Sequence, residues 1–172
     1  MWEDLYVNYS DKVYKYILLM IGDEETAEDL THDTFIKVKN SLNGFKGDSS
    51  YYTWIISIAR NLVYDYWRRK KKIGFIPFSI SHQPINKETP DSILQKNEEV
   101  LELYKAIKKL KIHYQEVLIL RKIQELTLEE TAAATGWSIS KVKTTTHRAM
   151  SALRGEVDIK EKEDKLNEQV LK

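Results

Sequence analysis

Residues 127–154 read TLEETAAATGWSISKVKTTTHRAMSALR, and the chain is best understood outward from them. Thr127 with Glu130 three positions on is a capping box, so a short helix is expected to start there and reach Thr135. Gly136 supplies the left-handed stop, and Ser138 can cap a last helix running to about Arg154. A short helix, a Gly-containing turn and a polar second helix form the layout of a helix-turn-helix. Ala132, Gly136 and Val142 fit its small, turn and buried positions, and Trp137 is expected to pack in the turn. From Trp137 to Gly155 there are four Lys or Arg and no acid. A helix entering a major groove needs donors in its N-terminal turns, and Ser138, Ser140, Lys141, Lys143 and Thr144 supply them.

Upstream of this unit, Tyr114 to Gln124 reads as a helix burying Val117, Leu118 and Leu120, and Asp91 to Ile112 as a strongly charged one. All three prolines (Pro77, Pro84 and Pro90) fall between Ile73 and Asp91, a stretch without helical period. Proline fixes φ and removes donors, so an extended linker is expected there. Composition also changes across it, since fifteen of the eighteen aromatics precede residue 79. The division is residues 1–72, a linker 73–97, residues 98–156 and a charged tail 157–172. The tail has scattered apolar residues and reads as frayed helix or disorder.

The first part is helical almost throughout. Trp2, Leu5, Tyr6, Tyr9, Val13, Tyr16, Ile17 and Met20 recur at steps of three and four and make one apolar stripe, which Gly22 ends. Asp23 can cap a second helix that buries Ala27, Leu30, Thr34, Val38 and Leu42. A third should run from about Tyr51 into Lys72 and bury Trp54, Ile55, Ile58, Leu62 and Tyr66. No alternation of period two occurs, so the fold class is all-α: two small helical domains on a flexible linker.

Charge is segregated although the net is only +1. Between Arg60 and Lys72 six Lys or Arg face the single Asp65. A solvated basic helix face would account for this, but Tyr64 and Trp67 set flat rings beside the cations. Flat rings beside cations can stack unpaired bases while neutralising their phosphates. The polar loop ending in Tyr51 and Tyr52 could hold a base drawn out of the stack. Asp23 to Asp33 holds six carboxylates and no Lys or Arg. Helix-dipole compensation with solubility and a docking face for a basic partner protein explain this equally.

Other chemistries find little support. Cysteine is absent, which excludes disulfides, thiol catalysis and cysteine-ligated zinc. His32, His82, His113 and His147 are scattered without companions at ligand spacing, so no metal site, cofactor or catalytic constellation is expected. The longest apolar run, Ile17 to Ile21, is too short to span a bilayer and no leader precedes it, so the chain reads as soluble and unexported.

Three collinear segments, AEDLTHDTFIKV (27–38), SSYYTWIISIARNLVYDYWRRKKK (49–72) and the stretch from Tyr114 to Arg154, resemble the signatures of bacterial sigma factors of the extracytoplasmic-function group. The resemblance implies regions two and four of a sigma factor without the region between. It assigns Asp29, Leu30, His32, Asp33, Phe35, Ile36 and Lys37 to the grip on the clamp helices of the large catalytic subunit of core RNA polymerase, which favours the docking reading. It assigns Asp48, Ser49, Ser50, Tyr51, Tyr52, Asn61, Tyr64, Asp65 and Trp67 to the melted minus-ten element, and Arg60, Arg68, Arg69 and Lys70 to its phosphates. Ser138, Ser140, Lys141, Lys143, Thr144 and Arg148 are assigned to the minus-thirty-five element. Implied partners are core polymerase, including its flap region, promoter DNA and an anti-sigma protein, often membrane-anchored. The implied role is non-enzymatic, cytoplasmic initiation for a stress or cell-envelope regulon, with no cofactor and no small-molecule substrate.

The sequence also departs from that pattern. His32 and Asp33 replace a usual Gln and a common Glu but keep hydrogen-bonding ability. Thr131, Thr135 and Thr146 stand where apolar residues are usual, and Thr145 and Met150 where cations are frequent. Each missing phosphate contact lowers the salt slope of binding by about 0.9, so weaker upstream binding is expected. An operator-binding helix-turn-helix regulator and an all-helical interaction adaptor are the readings from other classes.

Overall fold

A computed structural model describes residues 1–73 and 98–170. The expected linker, with Pro77, Pro84, Pro90 and His82, lies outside the described residues. Among the described residues seven helices follow in order: α1 (Trp2–Ile21), α2 (Glu24–Ser41), α3 (Tyr51–Ile73), α4 (Glu98–Lys108), α5 (Ile112–Leu118), α6 (Leu128–Thr135) and α7 (Ile139–Val170). A 3-10 turn spans Leu42–Gly44, a π turn spans Ile119–Ile123, and no strand occurs among the described residues.

Local chemistry sets most boundaries where the sequence places them. Gly22 ends α1 at φ 80°, and its N–H donates to Leu18 O at 2.7 Å. The Asp23 carboxylate accepts from Thr26 N at 2.9 Å and so caps α2, which holds that carboxyl below its usual range. Thr127 and Glu130 form both bonds of the capping box at the start of α6, and Gly136 ends that helix at φ 73°. Ser138 Oγ accepts from Lys141 N at 3.1 Å at the start of α7. Ser50 does the same for α3, accepting from Thr53 N at 3.1 Å.

Packing departs from the expectation of one apolar stripe per helix. Helix α3 buries Ile55 and Leu62 as expected, but also Ile56, Ala59 and Val63, while Trp54, Ile58 and Tyr66 are only half-buried. Its contacts explain the difference, since α3 packs on α1 and α2 on one side and on α6 on the other. The C-terminal turns of α1 are buried all round, from Tyr16 to Ile21. Tyr104 of α4 donates to Leu19 O at 3.2 Å and Lys108 to Met20 O at 3.0 Å, so α4 seals the open carbonyls of α1. The main core accordingly mixes residues from before and after the linker, including Ile17, Phe35 and Ile56 with Tyr104, Ile119 and Leu126. A second cluster, around Val117, Leu118, Val142 and Ala149, joins α5 to α7.

Two other elements differ from the sequence reading. The helix expected to run to Gln124 breaks into the π turn, and Glu125 takes a left-handed φ of 57° before α6. Helix α7 continues well past Arg154 to Val170, where the sequence reads as a last helix ending near Arg154 and a tail of frayed helix or disorder. Ion pairs accompany the extension: Lys109, just past α4, lies 3.9 Å from Glu156, and Lys160 pairs with Glu102 of α4.

Candidate nucleic-acid interface

Helices α2, α3 and α7 carry the candidate residues, and burial divides them. On α2, Asp29, His32, Asp33, Ile36 and Lys37 are exposed. Leu30 and Phe35 point into the core at 4% and 2% exposure, and Phe35 packs edge-on to Tyr6 with ring centroids 5.0 Å apart. In this structure they support the α2 face from beneath. A groove between α2 and α3 is lined by Asp33, Ile36, Lys37, Leu62, Asp65, Arg68, Arg69 and Lys72. Acidic and basic faces predicted separately thus meet along one furrow.

The basic face of α3 is assembled only in part. Asn61, Arg68, Arg69 and Lys70 are exposed, with Arg68 paired to Asp65 and Lys70 bonded to the Tyr66 hydroxyl at 3.2 Å. Trp67 is half-buried and meets Tyr64 edge to face at 5.3 Å. Arg60 and Tyr64 are turned instead into a polar cluster around Glu116 of α5. Arg60 Nε donates to Glu116 Oε1 at 2.6 Å and its Nη2 to Oε2 at 3.3 Å. The Tyr64 hydroxyl donates to Oε2 at 2.8 Å, and the Tyr16 hydroxyl lies 3.4 Å from Oε1. Burial alone would lower the Arg60 pKa, but the adjacent Glu116 carboxylate more than reverses this and keeps the guanidinium charged. Burial, and then the same carboxylate, push the Tyr64 hydroxyl upward. The guanidinium also lies 4.5 Å from the Tyr64 ring centroid and 5.9 Å from that of Trp137.

In the loop before α3, Asp48 is exposed and Ser49 half-buried, and Gly47 takes φ 76°. Ser50 is spent on capping α3. Tyr51 packs on Phe45 at 4.6 Å, and Tyr52 stacks on Tyr9 at 5.5 Å while its hydroxyl donates to Gln124 Oε1. These rings are held by Phe45, Tyr9 and Gln124.

The third set is presented intact. Ser138, Ser140, Lys141, Lys143, Thr144 and Arg148 all lie exposed along the first turns of α7. Trp137 is half-buried, as expected of a turn residue, with Lys141 Nζ 4.4 Å over its ring. Thr131 and Thr135 are buried, and each hydroxyl donates to the carbonyl four residues earlier, so neither leaves an unpaired polar atom in the core. Met150 packs against the second core cluster.

Glu116, at the centre of the polar cluster, is not among the residues that the sequence singles out. It is fully buried, on the face it shares with Ile112 and Leu120 at steps of four. That spacing was the available signal. No group of residues fit to hold a metal and no helix long and apolar enough to cross a membrane occurs among the described residues.

Comparison with known proteins agrees with this layout. The sigma-70 region 2 family matches residues 5–73, and the sigma-70 region 4 family matches residues 101–153. RNA polymerase sigma factor YlaC of Bacillus subtilis is 37% identical over 167 residues, covering 95% of this chain and 96% of that protein. ECF RNA polymerase sigma factor SigX of the same organism is 35% identical, covering 90% and 82%. Among solved structures, the sigma factor RpoE of Bartonella quintana, in complex with the anti-sigma factor NepR, has the same fold at 20% identity. Its TM-score is 0.72, with 91% of this chain and 96% of that one covered. With both regions matched in the expected order, this chain belongs to the extracytoplasmic-function group of sigma-70 factors, which direct promoter-specific initiation of transcription.

Proposed function

We propose that the three surfaces divide the work of initiation among them. The exposed face of α2, with Asp29, His32, Asp33, Ile36 and Lys37, docks on the clamp helices of the large catalytic subunit of core polymerase. Asn61, Tyr64, Asp65, Trp67 and the loop Asp48–Tyr52 take bases of the melted minus-ten element, and Arg60, Arg68, Arg69 and Lys70 hold its phosphates. The first turns of α7 read the minus-thirty-five duplex, and the part of the chain after the linker also faces the flap region. Residues 1–72 and 98–156 act as two modules joined by 73–97, with 157–172 as an appendage.

The observation that carries this reading is the shared groove of α2 and α3, where Asp33, Ile36 and Lys37 line one wall and Arg68, Arg69 and Lys72 the other. A protein-docking face and a phosphate-binding face that adjoin in this way hold a melted strand beside the enzyme that will copy it. Unstacking costs about a few kcal/mol per base step, and one stacked base returns about 1–3, so polymerase contacts must supply the remainder. The chain is then a binding protein and not an enzyme. It needs no metal or cofactor, acts on no small molecule and works in the cytoplasm on a stress or envelope regulon. The Bartonella quintana structure is a complex with an anti-sigma factor, and this supports a partner of that class here.

Capture of core polymerase by the tagged, full-length chain tests the docking face. Asp29→Ala with Ile36→Ala should abolish retention while thermal stability stays within about 0.5 kcal/mol per site. Undiminished capture by that variant would remove α2 from the assignment.

A further inference from the structure

Among the described residues, Glu116 is the only carboxylate in the buried class, and all of its partners belong to the other side of the linker. Both oxygens are used, one by Arg60 Nε and the Tyr16 hydroxyl, the other by Arg60 Nη2 and the Tyr64 hydroxyl. A guanidinium fork closing on two oxygens of one anion is also how arginine holds a phosphate. The aromatic ring is taken as well, with the Arg60 guanidinium near its centroid and the edge of Trp67 against it.

We propose that Glu116 is a built-in stand-in for a DNA phosphate, which in this closed arrangement occupies Arg60 and Tyr64 and keeps single strands off α3 until α5 moves away. The inference rests on the reading of α3 as the single-strand face. A phosphate cannot share Arg60 with a buried carboxylate, because the two like charges repel in a site with little water to screen them. Cooperation between the two is therefore excluded and competition is built in. The other ties between the two parts are the apolar core they share and hydrogen bonds from Tyr104 and Lys108 to carbonyls of α1 and from Tyr52 to Gln124, so opening exposes apolar surface that core polymerase must cover. If only a fraction of the chain is open, its apparent affinity for a strand falls by that fraction.

The test uses the full-length chain and two readings taken together, the radius of gyration by small-angle scattering and binding of a fluorescein-labelled, randomised single-stranded 12-mer at low salt. Glu116→Gln keeps the shape and removes the charge. It should expand the particle and tighten strand binding about tenfold or more, the gain expected if about nine-tenths of the wild type is closed. Tyr16→Phe, on α1 and outside the proposed DNA contacts, removes one long bond to the same carboxylate. It should move both readings the same way, by about threefold in affinity, so the outcome does not depend on one variant folding. Unchanged size and affinity in both variants would overturn the proposal and leave the reading of α3 intact. Expansion without tighter binding would overturn it through α3, because Glu116 would then cover a surface that binds no strand.

Discussion

Arg60 and Glu116 stand 56 positions apart in the chain, and Nε of one lies 2.6 Å from Oε1 of the other. The pair joins residues before 74 to residues after 97, so the helix proposed to melt the promoter is also a structural partner of the segment that leads into the helix-turn-helix. Breaking a buried ion pair from one side costs about 3–5 kcal/mol, because the other charge is stranded. Arg60 therefore serves both the closed fold and the proposed phosphate contact, and its substitution would confuse the two. Substitutions at positions that serve only one of these roles are more informative.

Phe35→Ala and Asp29→Ala should behave oppositely although both lie on α2. Removing the buried Phe35 ring should cost about 3–5 kcal/mol, seen as a lower urea midpoint. Removing the exposed Asp29 carboxylate should leave that midpoint nearly unchanged and reduce polymerase capture.

Trp67→Ala and Asn61→Ala should impair strand opening more than strand holding. On a duplex promoter with core polymerase, open complex should fall by the equivalent of about 1–3 kcal/mol for the lost stack. Binding to a template premelted at the minus-ten element should fall less, and equal losses on the two templates would refute the melting role.

At the turn of the helix-turn-helix, Gly136→Ala meets no atom within 4 Å and is opposed only by its φ of 73°. It should cost about 1–2 kcal/mol of stability through backbone strain. Thr127→Ala should cost about 0.5–2 kcal/mol by removing the side chain that accepts from Glu130 N. Chemical denaturation of each variant checks both values.

Alkaline pH should act in two opposed steps. Burial pushes the Lys108 ammonium down to about 8, and free lysine titrates near about 10.4. Between those values the folded chain binds fewer protons than the unfolded one, so stability rises with pH. Burial holds the Tyr104 hydroxyl up to about 12, and Tyr16 and Tyr64 are raised by burial and then by Glu116. Above about 10 the unfolded tyrosines ionise first and stability falls. Urea midpoints from pH 7.5 to 11 should pass through a maximum near about pH 10, and Lys108→Met should flatten the rising limb.

What was legible in the sequence is mostly local. Gly22, Asp23, Thr127, Gly136 and Ser138 each act within four residues, and all take the caps and turns their chemistry specifies. The exposed cluster Ser138 to Arg148 was equally readable, since a single helix presents it. Hidden from sequence were effects created by the second half packing on the first. Ile56, Ala59 and Val63 look like surplus apolar residues until the mixed core buries them. Leu30 and Phe35 lie among the proposed docking residues in sequence and below them in space. The π turn Ile119–Ile123 and the left-handed Glu125 carry no Gly or Pro to announce them. Glu116 sits just ahead of an apolar run and needs a partner 56 residues away to be understood.

Start-site selection is the most direct measure of the whole account. Core RNA polymerase from the host should be combined with the purified full-length chain on a library of host promoter fragments, and the 5′ ends of the run-off transcripts mapped. The account predicts transcripts from a small, reproducible set of start sites that core enzyme alone does not produce, diminished by Asp29→Ala with Ile36→Ala. The same 5′ ends with and without the chain would contradict it.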